Sequence, residues 1–78
     1  MNEIDLEEFY KDIVLDKFHA HEALDRTFLA NEIFESYVIE HPFVFKNEKL
    51  RNSAKEILEA MFDLYQMISK ESLDLYDH

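Results

Sequence analysis

In the segment HAHEALDR, residues 19–26, two histidines, a glutamate and an aspartate fall within seven positions. Histidines with carboxylates are the donor types of zinc and di-iron sites. On a helix, however, His19 and His21 point about 160° apart, so one helix cannot offer both to the same ion. His19 shares a face with Asp16 and Glu22, three residues to either side. His19, Glu22 and Asp16 are therefore the candidate metal ligands. Zinc asks for three or four ligands, and the missing ones would have to come from a second chain or a second helix. Di-iron bundles carry Glu-x-x-His on inward faces; here the order is reversed. The competing reading is a solvated helix face with local pairs, such as Glu22 with Arg26 at the favourable spacing. On that reading the chain needs no metal and no other cofactor.

Catalytic constellations are poorly represented. The chain has no cysteine, and none of Ser36, Ser53, Ser69 and Ser72 neighbours a histidine in sequence. A glycine-rich phosphate loop is excluded because there is no glycine. The residues point to a protein that is not an enzyme.

The elements that would position these residues follow from composition. The chain has 78 residues and a single proline, Pro42. Tight hairpins want glycine at positive φ, so an all-β fold is disfavoured and long helices are favoured. A chain this short buries only about 60% of the surface its unfolded form exposes. With no disulfide to staple it, regular helix packing or a partner must supply the rest.

Eighteen acids against eight bases give a formal net charge of −10. Residues 2–40 hold eleven acids and three bases, whereas Lys46, Lys49, Arg51 and Lys55 cluster just after the proline. Nucleic-acid binding needs cations to replace counterions, and anionic membrane surfaces attract basic segments, so neither is expected as a direct partner. No apolar run approaches the roughly 20 residues of a membrane span, and MNEIDLEEFYKD lacks a signal-peptide pattern. The expected setting is cytoplasmic.

A first helix is expected over about residues 3–40, capped by Asn2 and able to bend near residues 19–21. Steps of 100° put Leu6, Phe9, Tyr10, Ile13, Ala20, Leu24, Thr27, Phe28, Phe34 and Val38 on one face, with Asn31 in its middle as a register-fixing amide. A connection over about residues 41–47 follows, since the residue before Pro42 disfavours the helical conformation. A second helix is expected over about 48–75, capped by Asn47 or opened by a Ser53–Glu56 capping box. Its seam reads Leu50, Ala54, Ile57, Met61, Leu64, Ile68 and Leu75, broken by Glu71, with Leu58, Phe62 and Tyr65 running beside it. So short a connection makes the pair an antiparallel helical hairpin.

One partner helix cannot cover the first helix. Ile4, Val14, Leu15, Phe18, Leu29 and Ile33 form another stripe, and exposed stripes of that size mark interaction surfaces. The expected fold is all-α, a hairpin that pairs as a homodimer into a four-helix bundle. The alternative is a third short helix, made by a break near His19, that covers part of the face. In the connection, Phe43, Val44 and Phe45 either cap the open end of the bundle or form a hydrophobic knob beside the bases.

HEALDRTFLANEIFESYVIEHP followed by LYQMIS resembles small uncharacterised acidic helical proteins of tailed phages, those of cyanobacteria among them, over roughly residues 21–69. The resemblance implies a phage accessory or regulatory protein that binds a host or phage protein in the host cytoplasm. It supplies no site residues. Three functions follow: a non-catalytic protein–protein interaction module, an acidic nucleic-acid mimic that inhibits a basic DNA- or RNA-binding protein, and a metal-binding bundle. The interaction module is the leading expectation, through Val14, Leu15, Phe18, Leu29, Ile33, Phe43, Val44 and Phe45.

Overall fold

The computed structural model describes residues 2–76, with side chains described to residue 74. Every regular element among them is helical. In chain order they are α1 (Glu3–Tyr10), α2 (Lys17–Phe34), a π-helical turn (Glu35–Ile39), α3 (Pro42–Phe45) and α4 (Glu48–Tyr76). No described helix is long and apolar enough to cross a membrane.

Local chemistry sets the boundaries. Asn2 caps α1, its Oδ1 accepting the N–H of Asp5 at 2.9 Å. The chain then leaves the helix over residues 11–16, earlier than the bend expected near residues 19–21. The segment KDIVLD carries two β-branched residues, Ile13 and Val14, which are weak helix formers. Asp16 follows and takes a new N-cap, since short acidic side chains compete for nearby N–H groups. The first helix is thus two helices. His41 adopts the extended backbone that a following proline demands (ψ 133°) and accepts the Phe43 N–H on Nδ1 at 3.2 Å. Asn47 caps α4 through a 3.1 Å bond from the Leu50 N–H. The Ser53–Glu56 alternative lies inside the helix.

The α2–α4 pair makes the largest share of the packing between elements. His19, Ala20 and Ala23 border the same groove as Leu64, Met67 and Ile68. Further along, the Phe28 and Tyr65 rings lie 6.4 Å apart. At the other end Ile39, Ala54 and Leu58 are buried together, with Phe34 and Val44 packed against them. On α2, Ala20, Ala23, Leu24, Thr27, Asn31 and Phe34 are the residues withdrawn from solvent.

The seam of α4 is displaced from the expected one. Ala54, Leu58, Met61, Tyr65, Ile68 and Ser72 are buried or half-buried, while Leu50, Ile57 and Leu64 remain 39–49% exposed. The side chain of Leu75 lies outside the described residues. The π turn makes a similar shift in the other partner. Helical spacing from Phe34 carries the inward stripe to Val38, yet Ile39 is 5% exposed and Val38 37%. The Glu40 N–H reaches back to the Glu35 carbonyl at 3.0 Å, and this wider loop delays the stripe by one residue.

The core is small. Three apolar residues are buried, against twenty-one large apolar residues exposed among those described. The radius of gyration is 16.1 Å, against about 11–12 Å for a compact domain of this length. α1 packs on no other helix, and all of its residues are exposed.

Asn31 is 2% exposed, and neither Nδ2 nor Oδ1 finds a hydrogen-bond partner. Ser72, 6% exposed, differs in that its hydroxyl donates to the Ser69 carbonyl at 2.7 Å. A buried polar group left unpaired costs roughly 1–3 kcal/mol. Replacing both amide atoms with apolar ones of similar volume removes that cost. Asn31→Leu should therefore raise the stability of the fold by about 1–2 kcal/mol, read as a higher urea midpoint with an unchanged m-value.

Candidate functional site

The break at residues 11–16 decides what HAHEALDR does. Asp16 is the N-cap of α2, and its Oδ1 accepts the N–H groups of Phe18 at 3.0 Å and His19 at 3.1 Å. His19 completes a reciprocal capping box, its Nδ1 accepting the Asp16 N–H at 3.2 Å. The same Nδ1 lies 3.0 Å from Asp16 Oδ1. One nitrogen cannot do both at once. The neutral ring with its proton on Nε2 closes the box, and the protonated ring donates to the carboxylate instead. Glu22 pairs with Arg26 at 3.1 Å, one helical turn on. The three candidate ligands are thus divided between a helix cap and a surface ion pair. Among the described residues no three His, Asp or Glu side chains converge as metal ligands would. His21 is exposed on a different face of α2.

Two grooves flank this cap. Leu15, Ala20, Ala23, Leu64, Met67 and Ile68 form the apolar lining of a groove of about 370 Å³ between α2 and α4, with His19, Glu71 and Ser72 at its polar points. A second, of about 470 Å³, runs between Tyr10, Ile13 and Leu15 on one side and His19, Glu22 and Arg26 on the other. In the first groove the His19 Nδ1 is engaged by the cap and the Ser72 proton by a carbonyl. That lining suits an apolar side chain better than a reacting group.

The interaction residues read from the sequence divide into three groups. Phe18, Leu29 and Ile33 are 46–66% exposed and share the side of α2 turned away from α4. Val14 and Leu15 belong to the non-helical segment, so they do not continue that stripe. Leu15 lines the first groove, whereas Val14 is 85% exposed. In the connection, Val44 turns inward onto Ile39, Ala54 and Leu58. It caps the core, while Phe43 and Phe45 stay 73% and 48% exposed.

A further stripe was concealed in the sequence inside the seam of α4. Leu50, Ile57, Leu64 and Met67 are 39–63% exposed. They recur at steps of seven and three, about a quarter-turn round the helix from Ala54, Leu58 and Met61. The small residues Ser53 and Ala60 lie between them. Leu64 and Met67 border the same groove as Ala20 and Ala23, so this stripe and the small-residue side of α2 make one continuous face. An apolar arc too wide for one partner helix was the available signal.

No family model, curated protein or solved structure matches this chain.

The cap makes α2 sensitive to acid. The backbone N–H of His19, with the nearby imidazole and the Phe18 N–H, holds the Asp16 carboxyl below its ordinary value. A carboxylate depressed on folding stabilises the fold above its unfolded pKa. That contribution is lost as pH falls through the folded value. Asparagine caps as well but does not titrate. Asp16→Asn should therefore match the parent near pH 7. The parent should lose more helicity than the variant as pH drops below about 4, measured by circular dichroism across that range.

Proposed function

We propose that the chain is a non-catalytic protein–protein interaction module, an antiparallel helical hairpin that self-associates into a four-helix bundle. The observation that carries this reading is the imbalance, among the described residues, between a three-residue apolar core and twenty-one exposed large apolar residues. Exposed apolar stripes such as the one on α4 mark an interface, and a hairpin this short needs one to be stable. The pairing of residues 15–23 with 64–72 at one end, and of Ile39 with Ala54 and Leu58 at the other, supports the antiparallel arrangement.

The face formed by Leu50, Ile57, Leu64 and Met67 with Ala20 and Ala23 is the self-association surface. It is apolar, grooved between Ala20 and Ala23 on one wall and Leu64 and Met67 on the other, and mixed in residue size, so facing copies interdigitate. Phe18, Leu29 and Ile33 then stay outward, together with most of the carboxylates, and form the surface offered to another protein. The resemblance of residues 21–69 to tailed-phage proteins suggests a host or phage protein as that partner. The uneven charge supports a second reading, an acidic inhibitor of a basic nucleic-acid-binding protein, which predicts a partner complex that weakens steeply with salt.

Sedimentation equilibrium over a wide concentration range tests the bundle. The parent chain should run as a dimer, indifferent to EDTA. Ile57→Glu with Leu64→Glu should weaken the dimer by at least on the order of a thousandfold, since four large side chains lose their burial across a two-fold interface. Phe18→Glu with Leu29→Glu should leave the dimer intact. A parent that stays monomeric at every concentration refutes the bundle.

A further inference from the structure

The turn between α2 and α4 is built as a rigid projection. Pro42 opens α3 and the His41 ring caps it. Val44 anchors it to the core. Arg51 then holds Phe45 twice, donating from Nη1 to its carbonyl at 3.2 Å and stacking over its ring at 5.2 Å. Phe43 is left 73% exposed, beside Lys46. Large aromatics on a pre-ordered turn lose little conformational entropy when they bind. An exposed phenylalanine held this way is a knob without a socket.

A socket of matching character lies at the other end of the same body. The groove of about 370 Å³ has the small Ala20 and Ala23 on one wall and Leu64, Met67 and Ile68 on the other. Charge separates the two ends. Residues 41–55 carry four bases and one acid, whereas residues 16–26 and 63–74 together carry six acids and three bases. Glu71, which interrupts the apolar pattern of α4, stands at the groove itself.

Within one chain the knob cannot reach the groove. Nineteen residues of α4 separate Glu48 from Met67, about 28 Å of rigid helix. Only another molecule can bring a basic knob to an acidic socket.

We infer that the aromatic turn of one copy seats in the α2–α4 groove of a second copy, the two copies antiparallel about a two-fold axis, with Lys46 and Lys49 against Glu71 of the other chain. The proposal rests on the self-association reading and names its geometry. The occupant is a second copy because the two surfaces complement each other in charge and shape, and because the Leu50–Ile57–Leu64 stripe runs between them. A two-fold arrangement uses each knob and each groove once and closes the assembly at two chains.

Single-cysteine variants test it, since the chain has no cysteine of its own. Lys46→Cys and Glu71→Cys are prepared separately, checked for unchanged helicity, then mixed and oxidised. A disulfide-linked dimer from the mixture, and none from either variant alone, is the expected result. Lys46→Glu with Lys49→Glu should weaken self-association on the order of tenfold at low salt, and adding Glu71→Lys to the same chain should restore it. A dimer by sedimentation in which Lys46→Cys cross-links to itself, or in which the mixture gives no linked dimer, overturns the knob-in-groove docking and leaves self-association standing. Monomers throughout overturn both.

Discussion

A helix can turn only part of its circumference toward one neighbour, and this structure depends on that limit. α4 carries apolar residues over well over half of its circumference. α2 takes the part occupied by Ala54, Leu58, Met61, Tyr65, Ile68 and Ser72. What remains cannot be hidden by rotating either helix, because each rotation exposes one set as it buries another. The exposed stripe at Leu50, Ile57 and Leu64, the elongated shape and the small core all follow from two helices sharing one seam. A third layer is the usual remedy, and α1, which packs on no other helix, is not that layer.

The helical class was legible in the sequence because several independent signals agreed. No glycine, a single mid-chain proline and strong periodicity all favour helices. Asn2 and Asn47 were readable as caps, since an N-cap depends on chemistry within three residues. The break at residues 11–16 was less legible. Ile13 and Val14 disfavour a helix only mildly, and the outcome turned on Asp16 gaining two N–H donors and a reciprocal imidazole. A 3.6-residue period carried through that stretch assigned Leu6, Phe9 and Tyr10 to a stripe they do not share with Leu24. The displaced seam of α4 was illegible for a different reason. Ile57 and Leu58 are equally good core residues, and the choice between them is made by what α2 presents opposite.

The HAHEALDR cluster illustrates how local structure takes up chemistry. Asp16, His19, Glu22 and Arg26 are within reach of one another in sequence, and a metal could in principle compete for the first three. Backbone donors at a helix start are already present and correctly aimed, so the carboxylate and the imidazole are engaged there. The exposed apolar residues lie elsewhere, on the outer side of α2, the apolar flank of α4 and the turn. Charge divides along the same line, with bases near the turn and acids near the cap.

The π turn at Glu35–Ile39 has a consequence for how the chain tolerates length changes. A deletion inside a continuous α-helix rotates everything beyond it by about 100° and scrambles the packed face. Here the helix already holds one residue more than the regular winding needs. Losing a residue from 35–38 would let the turn relax to ordinary α geometry while Ile39, Pro42 and Val44 kept their places against Ala54 and Leu58. The wide turn is a reserve of slack in an otherwise taut rod.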